Sequence, residues 1–161
     1  MSSVPLKPTQ NVSEYNLKAA FLYRFTDYVD WANNNEGDYF TVGVLGESQI
    51  LSPLNVILRN KTIKSKQVII RKCDGLNDIG SCQILFIPRN SNTAIETIFS
   101  RIGNRQVLII TEQPGMASRG AHINFLNEEG KLRFEINLKS VVQSGLKISS
   151  QLLQHATIVE Q

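Results

Sequence analysis

The chain has 161 residues, of which 42% are hydrophobic and 19% are charged. This length suits one domain with one substantial core. The net charge is only +3, and Lys and Arg are scattered along the chain. Nucleic-acid-binding proteins concentrate basic residues on one face, so we do not expect a nucleic-acid partner. No apolar run approaches the roughly 18 residues of a membrane-spanning helix.

The N-terminal part of the chain predicts a polar lead-in followed by a long helix. Residues 1–10 are mostly polar and include two prolines, so we expect a flexible lead-in before a single domain at 11–161. Apolar side chains in 12–33 recur at helical spacing, on a stripe wide enough for burial on more than one side. The polar stretch NNNEGD at 33–38 should end this helix.

The middle of the chain alternates between predicted strands and predicted helices. Near-continuous apolar runs predict strands at 39–46, 67–72, 82–87 and 106–111. Helices are expected at 49–58 and at a segment that ends at Ile102, where Thr93 and Glu96 can form a capping box. This alternation favours an α/β fold with three layers, in which a mostly parallel sheet carries helices on both faces.

The C-terminal part of the chain predicts an antiparallel hairpin and two short helices. Residues 121–126 and 131–136 flank the turn NEEG, as the two strands of a β-hairpin do. Asn137 stands where the second strand gives way to a helix and should cap that helix. Ser149 should cap a last helix, from about 150 to 157.

The second hairpin strand has one apolar face and one polar face. Arg133 and Glu135 are two residues apart, so they share the polar face. They are either an ion pair on a solvated face, which contributes at most about 1 kcal/mol, or a surface that binds a partner.

The two cysteines, Cys73 and Cys82, are separated by eight residues and lie at the end of one predicted strand and the start of the next. A disulfide there would stabilise the fold by roughly 2.5 to 3 kcal/mol on the chain-entropy model. The alternative is a pair of buried or free thiols. A zinc site would need two more ligands, and His122 and His155 do not have the required spacing. We therefore expect no metal and no cofactor.

The sequence contains no motif that points to catalysis. It has no G-x-S-x-G nucleophile elbow. The stretches 75–80 and 115–120 have glycines at phosphate-loop spacing, but no Lys with Ser or Thr follows them. His122 and His155 have no activating partner that the sequence reveals. We predict no catalytic residue and do not expect an enzyme.

Three blocks of the sequence resemble the YfiR-like family. The helix KAAFLYRFTDYVDW at 18–31 is similar to the family's opening motif, and CQILFI at 82–87 is similar to its cysteine-led strand. The segment GAHINFLNEEGKLRFEINLKSVVQSGLKISSQLL at 120–153 resembles the family's most distinctive part. The blocks occur in the family's order, and the resemblance covers 14–156. Cys73 has no fixed counterpart in the family, so the bridge to Cys82 rests on spacing alone.

The resemblance implies a periplasmic signalling regulator whose signal peptide has been removed. The family includes a repressor of an inner-membrane diguanylate cyclase that lowers cyclic-di-GMP signalling and biofilm formation. An outer-membrane lipoprotein relieves that repression by sequestering the repressor. Oxidation state matters to the family's fold, and its members tend to form dimers. We therefore expect a homodimeric negative regulator that acts by protein–protein binding on a membrane cyclase or sensor kinase.

The alternative is a small-ligand sensor that acts on a membrane kinase or cyclase. Some relatives are fused to sensor kinases or cyclases, so the domain can serve as a signal-input module. A small metabolite would then bind at the carboxyl edge of the parallel sheet, where ligands bind in open α/β folds. The loops at 46–49, 88–92 and 112–119 would line this pocket.

Overall fold

The structure, a computed structural model, describes residues 8–32 and 37–160, with side chains from residue 13 onward. The helices are α1 (Pro8–Phe25), α2 (Leu51–Ile57), α3 (Ile95–Ile102), α4 (Leu138–Gln143) and α5 (Ser150–Leu153). The strands are β1 (Val29–Trp31), β2 (Tyr39–Leu45), β3 (Thr62–Ile63), β4 (Lys66–Cys73), β5 (Ile84–Ile87), β6 (Leu108–Thr111), β7 (Ile123–Glu128), β8 (Lys131–Asn137), β9 (Leu146–Ile148) and β10 (Thr157–Val159). Of the predicted lead-in, residues 1–7 lie outside the described ranges, and Pro8 begins α1.

Eight of these strands form one sheet in the order β10-β8-β7-β6-β5-β2-β4-β3. Within this order, the five adjacent strands β7, β6, β5, β2 and β4 run parallel to one another. β7 and β8 form the antiparallel hairpin predicted near the C-terminus. The predicted α/β class, a mostly parallel sheet with a C-terminal hairpin, is therefore confirmed.

Two apolar clusters lie on opposite faces of this sheet. Because side chains alternate across a strand, β5 sends Ile84 and Phe86 to one cluster and Leu85 and Ile87 to the other. The first cluster includes apolar residues of α1 and α2, and the second includes those of α3. The three predicted layers are thus helices, sheet and helix.

No helix within the described ranges has the length and apolar character needed to cross a bilayer.

The predicted helix at 12–33 is too long, because its last part is a strand. α1 ends at Phe25, and β1 pairs antiparallel with β9 as a separate two-stranded sheet. In β1 the side chains of Val29 and Trp31 are buried while Asp30 between them is exposed, which is strand alternation. The indole Nε1 of Trp31 donates to the carbonyl oxygen of Gln83 at 3.0 Å and so holds this strand against the main sheet.

Two further expectations about helices are wrong in detail. The last helix, predicted to reach about residue 157, ends at Leu153, and the residues that follow form β10 parallel to β8. The N-cap residue of α3 is Ala94, without a side-chain hydrogen bond, so Thr93 does not cap that helix. The backbone N–H and C=O groups of β10 form hydrogen bonds with β8, whereas in a longer helix they would have bonded within the helix.

Candidate functional site

Arg133 and Glu135 lie on β8, between β7 and the end strand β10. The side chain of Arg133 is exposed, and Glu135 is half-buried. The two side chains do not pair, because Glu135 Oε1 accepts instead from Nδ2 of Asn124 at 3.1 Å. The interpretation of these residues as an ion pair is therefore wrong. Arg133 presents a guanidinium without a partner among the described side chains.

The carboxylate of Glu135 is held by a buried polar network. Asn124 is fully buried, and its Oδ1 accepts from Thr111 Oγ1 at 2.7 Å and from the backbone N–H of Gln113 at 3.2 Å. These bonds fix the amide so that its Nδ2 points at Glu135. A fixed carboxylate beside an exposed, unpaired guanidinium is a geometry suited to recognising a polar partner.

The other face of β8 borders an apolar groove between α1 and the C-terminal segment. The groove has a volume of about 350 Å³. It is lined by Leu17, Ala20, Phe21, Arg24, Phe25, Tyr28, Phe134, Leu152 and His155. Leu17 is 48% exposed, and no carboxylate lines the groove. The ring of Phe134 packs against Phe21 in a tilted arrangement and against Phe25 edge to face, with ring centroids 6.0 and 5.1 Å away, so the floor is packed.

The helices next to these surfaces begin at the residues that the sequence indicated. Asn137 is the N-cap of α4, and its Oδ1 accepts from the backbone N–H of Ser140 at 3.0 Å. Ser149 is the N-cap of α5, and its Oγ accepts from the backbone N–H of Gln151 at 3.1 Å. Asn137 Nδ2 also donates to the carbonyl oxygen of Ala117 at 2.8 Å, which ties the end of β8 to the loop after β6.

A buried charged cluster lies at the carboxyl edge of the sheet, which sequence reasoning missed. Lys18 and Glu112 are 2% and 5% exposed, and Lys18 Nζ donates to Glu112 Oε1 at 2.7 Å. Glu112 Oε2 accepts from the hydroxyl of Tyr15 at 3.0 Å and from the backbone N–H of Arg89 at 3.0 Å. Burial, reinforced by the negative charge of Glu112, raises the pKa of Tyr15. A sequence signal existed, since Lys18 interrupts the apolar stripe of α1 and Glu112 directly follows β6.

His122 and Ser144 form a pair that resembles part of a hydrolytic triad. His122 is fully buried, and its Nε2 lies 2.8 Å from Ser144 Oγ. The backbone N–H of Ile109 donates to Nδ1 at 2.9 Å, so the neutral ring carries its proton on Nε2 and donates it to the serine. A general base for serine must instead accept from the hydroxyl. The tautomer therefore opposes activation of Ser144.

The two cysteines are brought together by the strands on either side of β2. Cys73 and Cys82 are both buried, and the thiol of Cys82 donates to the backbone carbonyl oxygen of Asp78 at 3.8 Å. The interaction between the two neighbouring thiols lowers the pKa of Cys73 and raises that of Cys82. A Cβ at Gly43 would lie 2.6 Å from the sulfur of Cys82, so glycine leaves room for both sulfurs. The disulfide stays a prediction.

No group of three or more His, Cys, Asp or Glu side chains within 13–32 and 37–160 could hold a metal ion.

The chain is a three-layer α/β domain with an exposed arginine on β8, an apolar groove beside α1 and a buried charged cluster at the carboxyl edge of the sheet. A family model described as YfiR/HmsC-like matches residues 15–157. The chain belongs to the YfiR/HmsC-like family. This family is one of regulators rather than of catalysts.

Two solved structures share the fold at low sequence identity. An ABC domain in complex with L-Trp from Streptococcus pneumoniae is 13% identical with a TM-score of 0.57, over 90% of this chain and 62% of that one. A conserved domain protein from Vibrio cholerae O1 biovar El Tor is 14% identical with a TM-score of 0.56, over 91% of this chain and 60% of that one. The chain thus spans about three fifths of each. Curated proteins gave no match.

Proposed function

We propose that this protein is a periplasmic signalling regulator that represses an inner-membrane diguanylate cyclase by binding to it. Repression would lower cyclic-di-GMP and with it biofilm formation. The observation that carries the proposal is the YfiR/HmsC-like match over residues 15–157. The unpaired Arg133 beside the fixed carboxylate of Glu135 supports binding through β8.

The margin of the sheet formed by β8 and β10 supports protein–protein binding in two ways. β10 ends the sheet that the described residues form, and an end strand can pair with a strand of another chain. The apolar groove on the α1 side of β8 offers a place for a large apolar side chain of a partner. We propose the periplasmic domain of the cyclase or of a sensor kinase as the main partner. An outer-membrane lipoprotein that sequesters the regulator, and a second copy in a homodimer, are further proposed partners.

Charge reversal on β8 tests the proposed surface. Arg133→Glu should weaken binding to the periplasmic domain of the cyclase at least tenfold, because it places a carboxylate where a cation meets the partner. The melting temperature should change by less than about 2 °C, because exposed substitutions usually alter stability by under 0.5 kcal/mol. Glu135→Gln should also weaken binding while keeping an acceptor for Asn124.

The matched control is Lys139→Glu, which makes the same charge change at an exposed position on α4. Binding should be measured by titration calorimetry for each variant, with thermal unfolding alongside. Unchanged binding by Arg133→Glu would move the partner surface away from β8. A large loss of melting temperature in that variant would make Arg133 structural instead.

A further inference from the structure

A cleft at the carboxyl edge of the sheet lies where the strand order reverses. From β2 the chain first adds β4 on one side and then returns to add β5 on the other side. Ligands of open α/β sheets bind at such switch points, outside the carboxyl ends of the strands. A cavity of about 510 Å³ occupies this position. It is lined by Tyr15, Glu47, Ser48, Gln49, Pro88, Arg89, Asn90 and Glu112.

One wall of this switch-point cleft is rigidly built. Glu112 accepts hydrogen bonds from Lys18, from the hydroxyl of Tyr15 and from the backbone N–H of Arg89. These bonds join α1, the loop after β5 and the end of β6 at a single carboxylate. A buried ion pair is poor evidence for stability, because desolvation of both charges offsets their attraction. Its effect here is to fix the positions of Tyr15 and Arg89 at the cleft.

The guanidinium of Arg89 has unused hydrogen-bonding capacity. Its NH2 lies 3.7 Å from Glu112 Oε1 and 3.8 Å from Glu14 Oε2, which are ion-pair distances and not hydrogen bonds. The side chain is 56% exposed. Within the described part of the chain its N–H groups have no hydrogen-bond acceptor, although the group presents five donors in a planar fork. This fork matches the two oxygens of a carboxylate.

The charges around the cleft select a ligand of low charge. Lys18 and Arg89 are balanced by Glu14 and Glu112. At the opposite side, Glu47 is 78% exposed and is paired with Lys72 at 2.6 Å. A dianion such as phosphate would be repelled by the carboxylates of Glu14 and Glu112 beside Arg89, whereas a monoanion would meet the free donors of Arg89 at lower cost. We propose that the cleft binds a small monocarboxylate, with its carboxylate on Arg89 and its apolar part against the Tyr15 ring and Pro88.

This proposal does not depend on the protein partner, and it can be tested on the isolated chain. The probes are acetate, lactate and benzoate, each compared with its primary amide, which has nearly the same shape and no charge. At least one acid should raise the melting temperature and give a calorimetric isotherm at concentrations up to about 10 mM. The matching amide should do neither, because the charge-assisted pair with Arg89 is lost.

Arg89→Gln should weaken binding of that acid at least tenfold, and Arg89→Lys should also weaken it because an ammonium cannot form the fork. The control variant Arg59→Gln changes an exposed arginine outside the cleft. It should bind the acid as tightly as the wild-type protein does. Inorganic phosphate should bind more weakly than the best acid. Failure of all three acids to bind overturns the proposal. So does equal binding of an acid and its amide, or unchanged binding by Arg89→Gln.

Discussion

His122 shows how the fold sets the chemistry of one side chain. Burial lowers its pKa to about 3, and a backbone hydrogen bond with Ser140 opposes this effect only in part. The ring stays neutral. Its Nδ1 accepts from the backbone N–H of Ile109, and its Nε2 donates to Ser144 Oγ. It therefore acts as a polar link between β6 and the end of α4, and its protonation is coupled to unfolding.

This coupling predicts that acid weakens the fold. The unfolded chain binds a proton at His122 below about pH 6.5, but the folded chain does not until about pH 3. The free energy of unfolding should fall by about 1.4 kcal/mol per pH unit below 6.5, or about 2 kcal/mol by pH 5. Urea denaturation at pH values from 7.5 down to 5 measures this fall in the free energy of unfolding.

His122→Asn is the variant that removes this dependence, since an amide oxygen can still accept from Ile109 and does not titrate. It should be less stable than the unchanged protein at pH 7.5 but should lose less stability on acidification. The exposed His155 gives the control His155→Gln, which should keep the original pH dependence. An equal pH dependence in His122→Asn would show that another group causes the acid sensitivity.

The cysteine pair gives a second prediction at this scale. In protein exported to an oxidising compartment, Cys73 and Cys82 should form a disulfide, because both sulfurs lie within 3.3 Å of the position that a Cβ on Gly43 would occupy. A thiol count on denatured, unreduced protein should then return no free thiol, and prior reduction should return two. Two thiols without reduction would rule the bridge out. The single variant Cys73→Ala should return one free thiol.

Single residues differ in how far their roles can be predicted. Asn137 and Ser149 cap helices through contacts two or three residues along the chain, so local sequence is enough to place them. Ser144 meets His122, and Glu112 meets Lys18, across 22 and 94 residues. Such contacts depend on the strand order, which residue types and spacing do not specify.

At the scale of elements, α1 is attached to the sheet by both apolar and charged contacts. Its apolar stripe packs on one sheet face, while Lys18 reaches the end of β6 through Glu112. The two sides of α1 thus contact the switch-point cleft and the apolar groove respectively. The contributions of Lys18 and Glu112 to stability should depend strongly on each other, because neither side chain is solvated.

A double-mutant cycle tests this attachment. Lys18→Met should destabilise the fold by about 3 to 5 kcal/mol, because it removes the main counter-charge of a buried carboxylate. Lys18→Met with Glu112→Gln should cost less than the sum of the two single changes, with a coupling of at least about 1 kcal/mol. Urea denaturation of the four proteins measures the coupling.

The exposed pair of Arg119 and Glu96, with side chains 52% and 62% accessible and atoms 2.8 Å apart, is the control for this cycle. Its coupling should stay below about 1 kcal/mol, because solvent screens exposed ion pairs. Strictly additive effects at Lys18 and Glu112 would contradict the account of a single buried cluster.

The sequence predicted best those elements whose apolar residues follow a single clear pattern along the chain. β2, β5 and β6 are buried strands, β4 is half-buried around its apolar centre, and the β7–β8 hairpin has both alternation and a turn signal. β1 was hidden because Val29 and Trp31 also fit the helical stripe of the preceding residues. β10 was hidden because three residues, Thr157–Val159, carry too little pattern, and its pairing with β8 decides its structure.

At the scale of the whole molecule, the sheet separates two kinds of surface. The margin formed by β8 and β10 carries Arg133, Glu135 and the apolar groove. The switch point between β2 and β5 carries the charged cleft. α1 contacts both, so a ligand in the cleft and a partner on the margin would act on the same helix.

The proposed role as a repressor is tested most directly by measuring cyclic-di-GMP in cells that produce this protein together with an inner-membrane diguanylate cyclase. The protein should be produced in two forms, one exported to the periplasm and one retained in the cytoplasm. We expect the exported form to lower cyclic-di-GMP, and we expect neither the cytoplasmic form nor exported Arg133→Glu to do so. An unchanged level on export, or an equal fall with the cytoplasmic form, would contradict periplasmic repression.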